Sequence, residues 1–313
     1  MERPSIIFMG TPDFAVSALK ALHESKLFDI RLVVSQPDRP KGSGRKLEPT
    51  PVKAYAQSVG YPVEQPESVK SEAFIELAKT IAPDFFVVVA FGQILSQTLL
   101  DVPKIAPINI HGSLLPKYRG AAPIQRAIME GEETTGVTTM VMDKGMDTGD
   151  MLIKAEISIE KDDTAATLHD KLASLGGELI VRTLPGLMDG SVTPEPQDNS
   201  RATHAAMLSK AEGEIDWSAP ARLIHCRLRG MSPWPGAYTF LDGKRLRIHK
   251  AETQELSHDA QPGTLMSCHN ELVVATGEGA IKILELQGDG GKRMPAEAFL
   301  RGNPMEPGQI LGR

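Results

Sequence analysis

The sequence predicts an α/β fold in which a doubly wound, mostly parallel sheet is followed by a small antiparallel β-barrel. Short apolar runs alternate with helical patterns in the first part of the chain, whereas strand-like alternation dominates the last part. A polar stretch with two prolines, residues 191–201, lies between the two parts. The length of 313 residues fits two domains at roughly 100–200 residues each.

The first part begins with an apolar run at residues 5–9, which predicts a strand that ends at Gly10. Residues 13–21 have apolar positions at helical spacing, with Thr11 as the expected N-cap and Pro12 at the first helical position. The same patterns predict further strands at residues 31–35, 63, 85–90, 108–111 and 137–142, and further helices at residues 52–58, 72–80, 124–129 and 164–187. This alternation predicts parallel βαβ units, whose ligands bind beyond the carboxyl ends of the strands.

Two stretches lack periodicity and predict irregular structure. Residues 36–51 predict a long loop, because prolines and glycines interrupt them repeatedly. Residues 191–201 predict a linker, because they are polar and hold two prolines. The expected domains are therefore residues 1–189 and 209–313, joined by a linker at 190–208.

The last part of the chain predicts antiparallel strands. Residues 244–249 alternate apolar and basic side chains, which indicates a half-buried strand with one basic face. Residues 272–275 and 280–286 predict two more strands across a glycine-containing turn. A barrel of the oligonucleotide-binding kind is the simplest arrangement for such a domain.

The net charge of −6 argues at first against a nucleic-acid partner, but the charge is unevenly distributed. Residues 1–207 hold 21 Lys and Arg against 27 Asp and Glu, whereas residues 208–313 hold 13 of each. Within the second part, residues 222–250 contain seven basic side chains and one acidic one. The interpretation as a solvated charged face stays open beside that of a contact with nucleic acid.

Other features bound the class of protein. The best apolar run, residues 85–90, is far shorter than the roughly 20 residues of a membrane helix, and the chain starts without a secretory leader pattern. Two cysteines, Cys226 and Cys268, are too few for a disulfide scaffold, so we expect a cytoplasmic protein. GxGxxG, GxxxxGK[ST] and HExxH do not occur, and the eight histidines are scattered, so no metal site is expected.

Asn109 and His111 are the first candidates for chemistry. They are two residues apart on a predicted strand that ends at Gly112, so their side chains share one face at the carboxyl edge of the sheet. An amide donor beside an imidazole suits acyl transfer, in which charge develops on an oxygen and protons move. A strand-end asparagine that caps a turn, beside a structural histidine, is the alternative.

A second polar loop, residues 143–150, follows the predicted strand at 137–142. A parallel sheet would bring this loop alongside His111. A glycine-rich turn between strands is the alternative interpretation.

Three motifs contain or adjoin these candidates: His-Gly-Ser-Leu-Leu-Pro at 111–116, Arg-Gly-Ala-Ala-Pro-Ile-Gln at 119–125 and Met-Asp-Thr-Gly-Asp at 146–150. They resemble motifs of the formyltransferases that use 10-formyltetrahydrofolate. Four more motifs are similar to the branch of this family that acts on methionyl-tRNA: Gly-Thr-Pro-Asp-Phe at 10–14, Gln-Pro-Asp-Arg-Pro at 36–40, Pro-Thr-Pro-Val-Lys at 49–53 and Ser-Pro-Trp-Pro-Gly at 232–236.

The resemblance implies a Rossmann-like catalytic domain, an OB-like domain that binds tRNA, and a monomer. It also implies transfer of a formyl group from 10-formyltetrahydrofolate to the α-amino group of methionine on initiator methionyl-tRNA. The implied catalytic residues are Asn109, His111 and Asp147. Asn109 and protonated His111 would stabilise the oxyanion, while Asp147 would orient His111 and relay protons.

The resemblance also implies binding residues. Ser113, Leu114, Leu115 and Pro116 match the folate-binding loop, with residues 88–94 and 141–143 near the pterin ring. The loop of residues 36–53 would enter the acceptor end of the tRNA. The tip of this loop commonly has Gly-Arg-Gly in this family, but it has Gly-Ser-Gly at residues 42–44 here. We therefore expect Arg45 to bind RNA, assisted by Lys41 and Lys46.

Two other kinds of protein share parts of this pattern. Formyltransferases that act on glycinamide ribonucleotide or on an amino sugar nucleotide would keep Asn109, His111 and Asp147 but would not need the basic C-terminal stretch. A catalytically silent RNA-binding relative would keep the fold and not the activity.

Overall fold

The structure is a computed structural model, which describes residues 3–41 and 46–312. It divides into two compact units, neither of which is continuous in sequence. Described residues within Met1–Gly120, Thr135–Ile157 and His169–His204 form the first unit, and those within Ala121–Thr134, Ser158–Leu168 and Ala205–Arg313 form the second. The domain limits that the sequence predicts, at residues 189 and 209, stay a prediction.

The strands and helices follow in chain order. The strands are β1 (Ser5–Gly10), β2 (Asp29–Val34), β3 (Arg39–Lys41), β4 (Lys46–Glu48), β5 (Val63–Glu64), β6 (Phe85–Val89), β7 (Ala106–His111), β8 (Thr134–Val141), β9 (Met151–Ser158), β10 (Ala237–Leu241), β11 (Lys244–Gln254), β12 (Leu265–Ser267), β13 (Leu272–Ala275), β14 (Ala280–Gly288) and β15 (Met294–Pro295). The helices are α1 (Asp13–Ser25), α2 (Pro51–Ser58), α3 (Glu72–Ile81), α4 (Gln97–Leu100), α5 (Pro123–Met129), α6 (Ala165–Asp189), α7 (Ala221–Gly230) and α8 (Ala296–Gly302). None of the helices in the described residues combines the length and the apolar character that crossing a membrane requires.

A seven-stranded sheet forms the first unit, in the order β5-β2-β1-β6-β7-β8-β9. Its central strands β1 and β6 are completely buried, which explains their unbroken apolar sequences. β1 pairs in parallel with β2 and β6, and β6 pairs in parallel with β7. The predicted α/β class, with a mostly parallel sheet, is confirmed.

The last part of this sheet departs from the predicted βαβ pattern. β8 runs antiparallel to β7, with His111 opposite Thr138 and Ile108 opposite Val141. The expected parallel direction is therefore wrong at this strand, although the 143–150 loop does lie beside His111, through Asp147. Because β8 ends opposite the middle of β7, the chain that follows it must fold back to reach the carboxyl end of β7.

The turn after β1 also differs from the prediction. The N-cap of α1 is Pro12, and no side chain caps this helix end. The Thr11 hydroxyl instead donates to the carbonyl of Phe91 at 2.9 Å, so it joins the chain after β1 to the chain after β6. The Thr-Pro capping pattern operates at α2, where the Thr50 side chain accepts from the backbone N–H of Lys53 and Pro51 follows.

The predicted loop at residues 36–51 contains structure of its own. β3 and β4 pair as an antiparallel ribbon, in which Arg39 lies opposite Glu48. At the base of this ribbon, Lys53 Nζ donates to Asp38 Oδ2 and, at 2.7 Å, to Gln65 Oε1. Gln65 Nε2 in turn donates to Asp38 Oδ1 at 2.6 Å. These three side chains fix the start of the ribbon against α2.

The second unit contains an antiparallel sheet in the order β10-β11-β14-β13-β12, with β15 paired to β14. The predicted half-buried strand is confirmed in β11, where Leu246 and Ile248 are buried and Arg247 is exposed. Trp217 lies in the core of this unit and donates its ring N–H to Thr239 Oγ1 at 3.0 Å. The predicted small antiparallel domain therefore matches the observed sheet.

The ion pair at the base of the ribbon makes stability depend on pH. Hydrogen bonds from Lys53 and then Gln65 hold the pKa of Asp38 below its usual value, although burial opposes them. Asp38 therefore contributes stability above its unfolded pKa of about 3.9, and this contribution is lost as the pH falls through the lower folded value. We expect Lys53→Met to destabilise the protein by up to about 1 kcal/mol at neutral pH, and by progressively less below about pH 4.

Urea unfolding of both proteins at several pH values measures this difference. Lys20→Met is a matched control, because the Glu24 partner of Lys20 is 62% exposed, and it should change little at any pH. A Lys53→Met effect that stays constant down to about pH 3 would contradict the assignment.

Candidate active site

Asn109 and His111 lie where the sequence predicts them, at the end of β7. Asn109 pairs with Val88 of β6 on one side and with Met140 of β8 on the other. His111 is the last residue of the strand and is 6% exposed. Both side chains project to the same face, because they are two residues apart on one strand.

The orientation of the His111 ring follows from its partner. Its Nε2 lies 2.8 Å from the carbonyl oxygen of Tyr118. Since a carbonyl only accepts, Nε2 carries hydrogen and donates, which leaves Nδ1 as the nitrogen that takes or releases a proton. Nδ1 faces Asp147 Oδ2 at 3.6 Å. The ring is therefore fixed through one nitrogen and presents the other to a carboxylate.

The carboxylate of Asp147 lies between the amide of Asn109 and the ring of His111. Its Oδ2 accepts the backbone N–H of Gly120 at 2.8 Å. Its Oδ1 is 3.5 Å from Asn109 Nδ2, at the outer limit of a hydrogen bond. Asp147 has a φ of +55°, which is uncommon for any residue other than glycine and is frequent at functional sites.

The loop that carries Asp147 is held by its own residues and by a distant segment. The Asp143 carboxylate accepts the hydroxyl of Thr148 and, at 2.9 Å, the backbone N–H of Gly145. Gln197 Nε2 donates to the carbonyls of Asp147 and Gly149 at 2.8 and 2.7 Å. The loop connects β8 to β9, as a simple turn would, but it also delivers a carboxylate to β7.

A cavity of about 160 Å³ opens beside these side chains. Its lining residues are Gln93, Ile94, Leu95, Asn109, Met140, Met142, Asp143, Lys144, Gly145, Met146 and Asp147. Two aliphatic side chains and three methionines supply the apolar part of its wall, and Gln93, Asn109, Asp143, Lys144 and Asp147 supply polar groups. This volume is smaller than the roughly 300–1,000 Å³ of a typical ligand pocket, so it accommodates part of a large ligand.

The predicted folate-binding residues 113–116 are not among the residues that line this cavity. The Ser113 hydroxyl donates to the carbonyl of Lys117 at 2.7 Å, and Leu115 is completely buried in a cluster with Met140 and Met151. The hydroxyl of Thr138 links this loop to β8, because it donates to the carbonyl of Ser113 and accepts the N–H of Leu115. The structure thus gives Ser113 and Leu115 contacts that support the loop, and the folate-binding role of residues 113–116 stays a prediction.

The family resemblance also implies that two other stretches lie near the pterin ring. These stretches agree better with the cavity than residues 113–116 do. Ile94, Met142 and Asp143, from the stretches 88–94 and 141–143, belong to its lining. Ile94 is 69% exposed and Met146 is 60% exposed, so apolar surface faces solvent at the cavity.

Two of the three predicted RNA-binding residues, Lys41 and Lys46, belong to the ribbon of β3 and β4. The backbones of Lys41 and Lys46 are opposite each other in that ribbon. Arg45 lies outside the described residues. The RNA-binding assignment of all three stays a prediction.

Sequence reasoning missed the residues that hold the three candidate side chains in place. Tyr118 and Gly120 act through backbone groups, which leave no signal in side-chain patterns. Arg119 donates to Gln197 Oε1 through Nε and Nη2, at 3.0 and 2.8 Å. Gln197 lies in the stretch interpreted as a linker, where the absence of periodicity gave no indication of a contact with residue 147.

The arrangement combines an amide donor and a carboxylate that line one cavity with an imidazole beside the carboxylate; His111 itself is not among the lining residues. An amide donor stabilises negative charge that develops on a carbonyl oxygen, and the imidazole and carboxylate accept and donate protons. Transfer of an acyl group to an amine requires both functions. The geometry therefore suits acyl transfer.

Two family models match the chain. One described as formyl transferase matches residues 4–184, and one described as formyl transferase, C-terminal domain, matches residues 207–304. A methionyl-tRNA formyltransferase from Caldanaerobacter subterraneus subsp. tengcongensis is 49% identical over 307 residues, which cover 98% of this chain and 99% of that protein.

Two solved structures share the fold at low sequence identity. WlaRD, a sugar 3N-formyl transferase in the presence of dTDP and 5-N-formyl-THF, has a TM-score of 0.66 at 18% identity, covering 90% of this chain and 98% of that chain. HypX from Aquifex aeolicus in complex with tetrahydrofolic acid has a TM-score of 0.63 at 16% identity, covering 100% of this chain and 51% of that chain.

Substitution of Gly149 tests whether the protein's stability depends on the observed backbone path of the loop after β8. A Cβ atom at this position would collide with the carbonyl oxygen of Val141, so the loop must move to accept a side chain. We expect Gly149→Ala to lower the free energy of unfolding by about 1–3 kcal/mol. Gly302→Ala is the control, because open space surrounds that position, and chemical denaturation of both variants measures the difference. Equal stabilities would contradict the close approach at Gly149.

Proposed function

We propose that Asn109, His111 and Asp147 carry formyl transfer in this chain, which belongs to the formyl transferase family and to its methionyl-tRNA formyltransferase branch. The chain is an enzyme that formylates methionyl-tRNA. In our proposal the donor is 10-formyltetrahydrofolate, and the acceptor is the α-amino group of methionine on the initiator tRNA. One observation carries the assignment of the site: the Asp147 carboxylate lies between Asn109 and His111.

The cavity beside Asn109 fits one end of a folate. Its aliphatic and methionine side chains suit the faces of a flat ring, and Asn109 and Asp147 lie at its polar side. When bound, the folate supplies a formyl carbon on a nitrogen that leaves with its bonding electrons and takes up a proton. Lys144 also lines the cavity and brings a positive charge for an anionic ligand.

Asn109 is assigned to the formyl oxygen. Its Nδ2 is only weakly engaged by Asp147 at 3.5 Å, so its amide hydrogens are available to an oxygen that gains negative charge. The strands β6 and β8 flank Asn109 on both sides and fix its backbone. An oxyanion donor needs this rigidity, because stabilisation is largest when the donor does not have to reorient.

His111 reaches the substrate through Nδ1 alone, because Nε2 is occupied by the carbonyl of Tyr118. A proton on Nδ1 makes the ring a cation, which faces Asp147 Oδ2 and the developing oxyanion together. This arrangement differs from a relay in which the carboxylate and the substrate contact opposite ring nitrogens. Here both contacts involve the same nitrogen, so Asp147 and the substrate share one proton position.

Asp147 is assigned to proton transfer from the attacking amine. A free α-amino group has a pKa of about 7.7–8.0, so much of it must lose a proton before it attacks near neutral pH. Among the described residues, the Oδ1 atom of Asp147 has only the long contact with Asn109, whereas Oδ2 is held by Gly120. As the new C–N bond forms and the old one breaks, the amine loses one proton and the leaving nitrogen gains one. We assign the transfer of this proton to Asp147 Oδ1 and His111 Nδ1.

The positions of basic residues in the chain support the RNA part of the proposal. Lys41 and Lys46 end the two strands of the ribbon, next to residues 42–45 that include Arg45. In the second unit, Lys244 and Arg247 are exposed on β11. Contacts of this kind neutralise phosphates and are independent of base sequence. A monomeric state and a cytoplasmic location stay predictions.

A substrate panel tests the function. Purified protein with 10-formyltetrahydrofolate is offered methionyl initiator tRNA, glycinamide ribonucleotide or an amino sugar nucleotide. We expect formylation of the methionine only, measured by acid-stable label from the formyl group. Formylation of either small amine in its place would favour the corresponding relative, and no product at all would favour a catalytically silent RNA-binding protein.

Asn109→Ala tests the oxyanion donor. Loss of one such donor costs on the order of 10²–10³ in rate, so kcat should fall by about that factor. Folate affinity should change modestly, because most of the cavity wall remains. Steady-state kinetics and a folate titration separate the two effects. Asn270→Ala, an exposed position of the second unit, is the control, and turnover near wild type in Asn109→Ala would refute the role.

A further inference from the structure

We infer that Gln197 is a positioning residue that holds Asp147 beside His111, although it lies 50 residues away in sequence. The inference rests on the proposed function and adds a residue of the predicted linker to the active site. Gln197 touches neither the cavity nor the reacting groups directly. It acts through the backbone on both sides of Thr148.

The side-chain amide of Gln197 uses its full hydrogen-bonding capacity. Nε2 donates to the carbonyl of Asp147 at 2.8 Å and to the carbonyl of Gly149 at 2.7 Å. Oε1 accepts two hydrogen bonds from the guanidinium of Arg119, at 3.0 and 2.8 Å. Because carbonyls only accept and arginine only donates, these partners permit one orientation of the amide.

The carbonyl of Asp147 matters because of the backbone conformation just before it. Asp147 has a φ of +55°, a conformation that residues with a side chain adopt rarely. Donors on the carbonyls of residues 147 and 149 fix the peptide group that joins Asp147 to Thr148 and the one that joins Gly149 to Asp150. A fixed peptide plane at residue 147 determines the direction in which its side chain leaves the backbone, toward the Gly120 N–H and His111.

Arg119 connects the same amide to the loop that holds His111. Its neighbours Tyr118 and Gly120 supply the carbonyl that binds His111 Nε2 and the N–H that binds Asp147 Oδ2. Thr203 fastens this loop as well, since its hydroxyl accepts the N–H of Tyr118 and its carbonyl accepts the N–H of Arg119. Gln197 therefore joins the two loops whose relative position sets the distance between Asp147 and His111.

Only a side chain with two donors and an acceptor at this reach fulfils the role. Glutamate has the same shape and keeps its attraction to Arg119, but it would place a carboxylate oxygen against two carbonyl oxygens. Methionine fills similar space and makes neither contact. Comparison of Gln197→Glu with Gln197→Met thus separates the effect of the hydrogen bonds to Arg119 from the effect of those to residues 147 and 149.

We expect both variants to lower kcat by about 10- to 100-fold, because a displacement near 1 Å of a catalytic group costs up to about that much. The KM for methionyl-tRNA should change little, since Gln197 lies outside the basic surfaces assigned to RNA. Gln197→Glu should keep a melting temperature close to that of the wild type. Asn199→Ala is the local control, because it removes another acceptor of Arg119, at 2.8 Å, and should alter kcat by less than about twofold.

A double-mutant cycle with Asp147→Asn distinguishes positioning from general stabilisation. If Gln197 acts through Asp147, Gln197→Met should cost little more in the Asp147→Asn protein than the single Asp147→Asn substitution does. A full additional loss in that background, or wild-type kcat in both Gln197 variants, would overturn the inference. Failure of the wild-type protein to formylate methionyl-tRNA would instead overturn the proposed function.

Discussion

The Asp147 carboxylate and the Nδ1 atom of His111 lie 3.6 Å apart, and the site depends on keeping them there. Neither group holds the other, because this separation exceeds a hydrogen bond. Each is instead fixed by a backbone group of one short loop: Tyr118 binds the ring and Gly120 binds the carboxylate. A loop three residues long therefore sets the geometry of both groups to which we assign catalysis.

Backbone partners have a chemical advantage at this position. A carbonyl on Nε2 fixes the hydrogen on that nitrogen and leaves Nδ1 as the free acceptor, so the protein selects the tautomer without adding a charge. The Gly120 N–H satisfies one carboxylate oxygen and leaves the other for the role that we propose in proton transfer. Because this loop has little regular structure, its shape relies on contacts from residues 197 and 203, which lie far along the chain.

The antiparallel β8 explains why so many segments converge here. In a purely parallel sheet, the loop after β8 would arrive at the same edge as the carboxyl end of β7 without further help. Here β8 ends opposite Ile108, so residues 143–150 must return along the sheet and be held in place. Gly149 against the carbonyl of Val141, Asp143 within the loop and Gln197 outside it provide that restraint. The reversed strand brings Asp147 to Asn109, at the cost of a strained backbone.

The sequence by itself determined the α/β class, most strands and helices of the first unit, and the face of β7 that carries Asn109 and His111, because apolar periodicity and strand alternation are local properties. Family motifs added Asp147. The tertiary structure alone decided four other features: the direction of β8, the ribbon of β3 and β4, the buried position of Leu115 and the contact between Gln197 and residue 147. These features depend on hydrogen bonds of the backbone between distant segments. Because backbone N–H and carbonyl groups are the same whatever the side chain, the sequence carries no signal for these bonds.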